Sequence, residues 1–252
     1  MKRILLLSLL LLPASSFAAE AVLHTSDGWT LSADYKIPAA GKACVILAHG
    51  LGSSRAEWGV LSPALEKKGM GWLAFDMRGH GSSKLLNGKE LGYEAFSEKD
   101  WNAAFLDFEA AFSFLKSTGC ASVAFAGASM GANLGIKAAA RGKDKPSALV
   151  LLSPGLDYHG VKAMADFIAL PEKLHILMVA SEGDTYSFSS IFALHERLAV
   201  RPEQPLLLAA SSGHGVQMLD GALPGGPELA SRIVDWLAQN SALPAAVKRK
   251  KR

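Results

Sequence analysis

Ser129 lies in Gly127-Ala128-Ser129-Met130-Gly131, between the apolar run Val123–Ala126 and an alanine-rich stretch, Met130–Arg141, of helical character. Two glycines around a serine at a strand-to-helix junction allow a tight, strained turn that holds the hydroxyl up and exposed, as a nucleophile elbow does. A serine hydroxyl is a weak nucleophile near neutral pH. It needs a base to take its proton and a carboxylate to fix the base's tautomer and stabilise the imidazolium.

Seven histidines compete for the role of base. His24 falls in an N-terminal hairpin, and His49 and His80 fall in turns ahead of the elbow. His159, His175 and His195 follow it but have no Gly-flanked loop around them. His214, in Ser211-Ser212-Gly213-His214-Gly215, stands directly beyond the late apolar run Leu206–Ala210. Sites in open α/β sheets gather at the carboxyl ends of strands, so His214 is the expected base. The expected acid is Asp184, which closes Ser181-Glu182-Gly183-Asp184 just after the run Ile176–Ala180. Glu182 on the same loop and Asp157, after Ala148–Leu152, are its rivals. The order Ser129, Asp184, His214, at intervals of 55 and 30 residues, is one of the known chain orders of a nucleophile, acid and base triad.

A tetrahedral intermediate also needs two N–H donors aimed at its oxyanion. Met130, first in the helix after the nucleophile, supplies one and gains from the helix dipole. The second is expected from Leu51, in His49-Gly50-Leu51-Gly52 after the run Cys44–Ala48. There His49 orients the loop instead of acting as a base. The machinery calls for no cofactor, and two cysteines are too few for a zinc site.

These residues need a scaffold with strand ends at the site. Trp29, Leu31, Ala33, Tyr35 and Ile37 alternate with polar residues, which marks a strand with one buried face, and Asp27-Gly28 before it reads as a hairpin turn. Cys44–Ala48, Trp72–Phe75, Val123–Ala126, Ala148–Leu152, Ile176–Ala180 and Leu206–Ala210 are short runs apolar on both faces, as in the buried strands of a parallel sheet. Helical periods lie between them, at about 56–68, 101–115 with Asp100 as N-cap, 130–141, 187–198 and 226–239. The alternation predicts an α/β fold: a mostly parallel central sheet of about eight strands, flanked by helices, in one domain.

The chain has 252 residues, half of them apolar, which excludes disorder, and a net charge of +3. Lys2, Arg3 and the five basic residues Lys248–Arg252 account for this excess, since the body holds 19 basic against 23 acidic residues. The charge therefore implies no nucleic-acid partner. Lys2-Arg3, the apolar run Ile4–Leu12, Pro13 and the small residues around Ser16-Phe17-Ala18 have the layout of a secretory signal peptide. We expect residues 1–18 to be such a peptide, 19–244 the folded domain and 245–252 a basic tail, with export to the periplasm or beyond. The tail could make weak contact with an anionic membrane surface. Cys44 and Cys120 each open a predicted strand; a bridge between them and two buried thiols are both open readings.

With these residues in view, the chain resembles the serine-dependent α/β-hydrolases, in the esterase, lipase and proline-peptidase-like branch, over nearly all of its mature length. Asp76-Met77-Arg78-Gly79-His80-Gly81-Ser82-Ser83 is similar to a D-x-R-G-x-G-x-S segment of that family, and the resemblance implies structural roles for Asp76 and Arg78. Members that open epoxides or break carbon–halogen bonds carry Asp at the elbow, so Ser129 argues against both reactions. Many members insert a large cap after the sixth strand, whereas Ser153–Leu174 leaves room for a minimal one. The site is then bordered by Leu51, Leu85, Leu86 and Tyr93, with Tyr158, Met164 and Phe167 as expected substrate contacts. The resemblance implies hydrolysis of a small-molecule ester of small or medium acyl chain, by a monomer or weak dimer. A peptidase or thioesterase on the same triad is the alternative, and a non-catalytic binding protein on a retired scaffold is a third reading.

Overall fold

The computed structural model describes residues 18–38, 41–198 and 205–241. The expected leader and basic tail fall outside the described residues, apart from Ala18. Strands β1 (Ala19–His24) and β2 (Trp29–Lys36) form an antiparallel hairpin that turns at Thr25–Gly28, where Gly28 has φ 98°. Six parallel strands carry the centre: β3 (Ala43–Ala48), β4 (Gly71–Phe75), β7 (Ser122–Ala128), β8 (Ala148–Leu152), β11 (His175–Ser181) and β12 (Leu206–Ala210). Two short strands, β5 (Leu85–Leu86) and β6 (Lys89–Glu90), extend the sheet beside β2. The order is β12-β11-β8-β7-β3-β4-β2-β5-β6, with β1 on β2, ten strands in all against about eight expected. The extra pair are two-residue strands, too short to show any periodicity.

Consecutive residues of the central strands feed different layers, which is why their sequences read as unbroken apolar runs. Cys44, Ile46 and Ala48 of β3 enter one core with Val123 and Phe125. Val45 and Leu47 enter the other, with Ala124 and Ala126. The first core is covered by α3 (Leu106–Ser117), α4 (Met130–Arg141) and α6 (Thr185–Leu198). The second is covered by α1 (Leu61–Lys67) and α7 (Gly226–Asn240). The helix expected over 101–115 is two pieces, α2 (Glu98–Ala103) and α3. Its N-cap is Ser97, which forms a capping box with Asp100, so Asp100 sits in the first turn. The apolar period runs through the break because Trp101 and Phe108 enter the same core.

From β3 the chain moves outward to β4 and returns to the other side of β3 as β7. This reversal is a topological switch point, and in such sheets the crevice at the carboxyl ends is where ligands bind. The His49-Gly50 loop follows β3 there, and Ser129 follows β7. Between β8 and β11 lie only a small hairpin, β9 (Asp157–Tyr158) with β10 (Val161–Lys162), and α5 (Ala163–Ile168), in keeping with the minimal cap expected.

Cys44 and Cys120 form a disulfide, with a Cα separation of 5.9 Å. Arg78, 1% exposed, is held by Asp107 and Asp27, and Asp76 accepts from the Arg55 and Ser82 backbone N–H groups and the Arg55 guanidinium. Both residues knit the loop after β4 to its neighbours, the structural part implied for them.

Candidate active site

Ser129 sits at the sharp turn between β7 and α4 with φ 53° and ψ −116°. An L-residue in this region is strained, and such strain collects where function holds it. The flanking glycines are required by close approach: a Cβ on Gly127 would collide with the Gly131 carbonyl, and one on Gly131 would collide with the carbonyls of Ala48 and His49. The Ser129 N–H donates to the Leu152 carbonyl at 2.8 Å, which fixes the turn from below.

His214 Nδ1 lies 2.6 Å from Asp184 Oδ2. The pair fits an Nδ1–H donating to the carboxylate, which leaves Nε2 as the free base. Burial works against the Asp184 charge, but hydrogen bonds from His214, Ser187 and Ser153 outweigh it and hold the carboxyl below the ordinary aspartate value. Two serines set the distance between the loops. Ser181 Oγ donates to the Gly213 carbonyl at 2.7 Å, and Ser153 Oγ accepts from the Gly215 N–H at 2.9 Å. The rivals lie elsewhere: Asp157 is exposed and accepts from Gly160 N–H in the small hairpin, and Glu182 is exposed.

The loop after β3 is aimed by His49, which is fully buried. Its Nε2 accepts from the Met77 N–H at 2.9 Å, so Nδ1 carries the proton and donates to the Gly50 carbonyl at 2.7 Å. The Gly50 carbonyl and the Leu51 N–H belong to one planar trans peptide and point in opposite directions. Holding the carbonyl therefore aims the Leu51 N–H. Among the described residues, neither the Leu51 nor the Met130 N–H is engaged in a hydrogen bond. Burial lowers the His49 pKa to about 4, and the neighbouring His80 adds to this against the opposing effects of the Gly50 carbonyl and Asp76.

Leu51, Ser129 and His214 line a common cavity of about 230 Å³, with Glu57, Val216 and Gln217 on its walls. Ser129 is half-buried and Leu51 exposed. Tyr158 donates to the Ser153 carbonyl, shares a hydrogen bond with Ser187 and interacts with Ser129. Burial pushes its phenol up in pKa, against the bonds from Ser187 and Ser129. Met164 is half-buried beside the first core. Phe167 corrects the sequence expectation: it is 0% exposed, on the face of α5 that packs into the core, and does not line the cavity of Ser129 and His214. Among the described residues, no group of three His, Cys, Asp or Glu side chains is arranged to hold a metal.

The family described as serine aminopeptidase, S33, matches residues 39–196, well over half of the chain. The chain belongs to this family of α/β-hydrolases. No match is found among curated proteins. Solved structures share the fold at low identity. An esterase of Pyrococcus furiosus superposes with a TM-score of 0.73 at 21% identity, over 89% of this chain and 91% of the other. A dienelactone hydrolase of Anabaena variabilis superposes at 0.66, with 18% identity over 89% and 99%. Est1E of Butyrivibrio proteoclasticus, with ferulic acid bound, superposes at 0.65, with 18% identity over 88% and 100%. The S33 match takes in Ser129 and Asp184 and stops before His214.

Sequence reasoning missed Glu57, Ser153 and Ser181. A polar residue at the carboxyl end of a strand was the available signal for the two serines, since they directly follow the apolar runs of β8 and β11. For Glu57 no such signal exists: it lies a full turn beyond the loop it serves.

Proposed function

We propose that the chain is a serine hydrolase acting on carboxylic esters of small or medium acyl groups through an acyl-enzyme. Ser129 Oγ attacks the carbonyl carbon while His214 Nε2 takes its proton, and the carbonyl π electrons pass to the oxygen. The oxyanion is held by the Leu51 and Met130 N–H groups. As the tetrahedral centre collapses, the C–O bond to the alcohol breaks and His214 returns the proton to the leaving oxygen. Water then repeats the sequence on the acyl-Ser129 ester and frees the acid. Asp184 holds the imidazole in the required tautomer throughout. The observation that carries this reading is the 2.6 Å His214–Asp184 contact at the edge of the cavity that Ser129 lines.

A second reading, a peptidase, is favoured by the family description, serine aminopeptidase. It uses the same residues and differs in the leaving group. Covalent labelling by a fluorophosphonate, lost in Ser129→Ala, tests the mechanism, and absence of label on folded protein overturns it. A panel of nitrophenyl esters of rising chain length beside aminoacyl amides separates the two readings, since faster amide turnover overturns the ester preference. We also propose that the protein is exported, on the strength of the leader-like N-terminus and the Cys44–Cys120 bridge, which suits an oxidising compartment.

A further inference from the structure

Glu57 lies in the short 3-10 turn Arg55–Gly59 that follows the His49-Gly50 loop. Its carboxylate accepts from the Gly50 N–H at 3.0 Å and from the Ser53 hydroxyl. An ionised carboxylate has about four acceptor sites, so about two stay open. Glu57 also lines the cavity shared by Ser129 and His214. Arg55, two residues away, is turned to Asp34 and Asp76, and among the described residues no lysine or arginine pairs with Glu57. The facing wall is formed by His214, Gly215, Val216 and Gln217, with no fixed positive charge. Burial raises the Glu57 pKa, opposed by Ser53, Gly50 and the nearby His214. The cavity thus holds a partly desolvated carboxylate whose charge is only partly compensated.

The side of the reaction this cavity serves follows from the imidazole. On the serine-hydrolase reading proposed above, His214 must return its proton to the departing oxygen, so the leaving group lies against His214. We infer that the cavity is a leaving-group subsite in which Glu57 selects alcohols bearing a positive charge, such as amino alcohols or quaternary ammonium alcohols. The carboxylate is hydrogen-bonded to the oxyanion loop at Gly50, so a cation drawn to it also brings the scissile carbonyl toward the Leu51 N–H.

The test uses two acetate esters of matched shape, one of 2-(trimethylammonio)ethanol and one of 3,3-dimethylbutanol. The wild-type protein should favour the charged ester in kcat/KM by about tenfold, a partly screened single ion pair. Glu57→Gln should bring this ratio close to one, because the amide still accepts from Gly50 N–H but carries no charge. Raising the ionic strength should lower the wild-type preference. A wild-type ratio near one, a ratio retained in Glu57→Gln, or a preference insensitive to salt would each overturn the subsite. The salt series decides the matter even if the variant fails to fold. Folded wild-type protein that takes no fluorophosphonate label and cleaves neither ester would overturn the hydrolase reading itself. Labelled protein that cleaves both esters equally overturns only the subsite.

Discussion

Acidification should loosen the loop that carries the Leu51 N–H, through His49. In the native state this imidazole is neutral, with Nε2 accepting from Met77 N–H and Nδ1–H donating to the Gly50 carbonyl. A second proton on Nε2 would turn the acceptor into a donor facing another N–H, and would place a charge on a side chain that is 0% exposed. That cost lowers the pKa from 6.5 to about 4. Between these values the unfolded chain binds a proton that the native chain does not, so the free energy of unfolding falls as pH falls. The contribution is fully present above pH 6.5 and is lost by about pH 4. A pKa difference of this size is worth about 3 kcal/mol. The assay is urea unfolding at a series of pH values, followed by tryptophan fluorescence, on the wild type and His49→Gln. Other groups titrate in both proteins, so the difference between the two isolates His49. The wild-type advantage at pH 7 should shrink by about 3 kcal/mol on going to pH 4. A difference that stays constant across the range would refute the neutral, doubly bonded imidazole and with it the reasoning that His49 aims the Leu51 N–H.

The Cys44–Cys120 bridge closes a loop with a sequence separation of 76, for which the chain-entropy account gives a stabilisation of about 4.5 kcal/mol. Replacing both cysteines by alanine should lower the unfolding free energy by roughly 2–4 kcal/mol. Protein taken from the exported fraction should begin at Ala19 and offer no thiol to alkylation before reduction; two free thiols in the native protein would refute the bridge. Arg78 is enclosed by Asp107, which is 0% exposed, and by Asp27, so Asp107→Ala leaves a buried guanidinium half-paired. This should cost about 3 kcal/mol in urea denaturation, and a loss below about 1 kcal/mol would show that Asp27 alone suffices.

The reach of the sequence follows from how each feature is encoded. Five of the six parallel strands were legible because a doubly covered strand must be almost wholly apolar, and Ala148–Leu152 has the bounds of its apolar run. Leu206–Ala210 also has the bounds of its run, although it lies at the sheet edge and its residues are half-buried or exposed. Ser129, Asp184 and His214 were legible because each stands at the end of such a run. That rule reads strand ends alone, without knowing the tertiary fold, and it brought forward two residues that the structure joins at 2.6 Å. Phe167 was expected instead from the minimal cap that the resemblance implies; helix α5 is short enough that its apolar face could point to the cavity or to the core, and the core won. A two-residue strand such as β5 has no period to read.

Glu57 shows the remaining limit, and why the site depends on it. Gly50, Leu51 and Gly52 offer no polar side chain to fix the oxyanion loop, since the glycines have none and Leu51 lies partly exposed on the cavity wall. Both hydrogen-bonding groups of Gly50 are then held by side chains on either side of it. His49 takes the carbonyl and is braced on Met77, 28 residues on, while Glu57 takes the N–H from the following turn. A loop of glycines that comes close to a substrate therefore draws its rigidity from buried polar groups, and a carboxylate is the strongest acceptor for that N–H. Its charge comes with the bond. On a wall shared with Ser129 and His214, the group that stiffens the loop also sets the electrostatic character of the cavity, so positioning and selectivity fall to one residue.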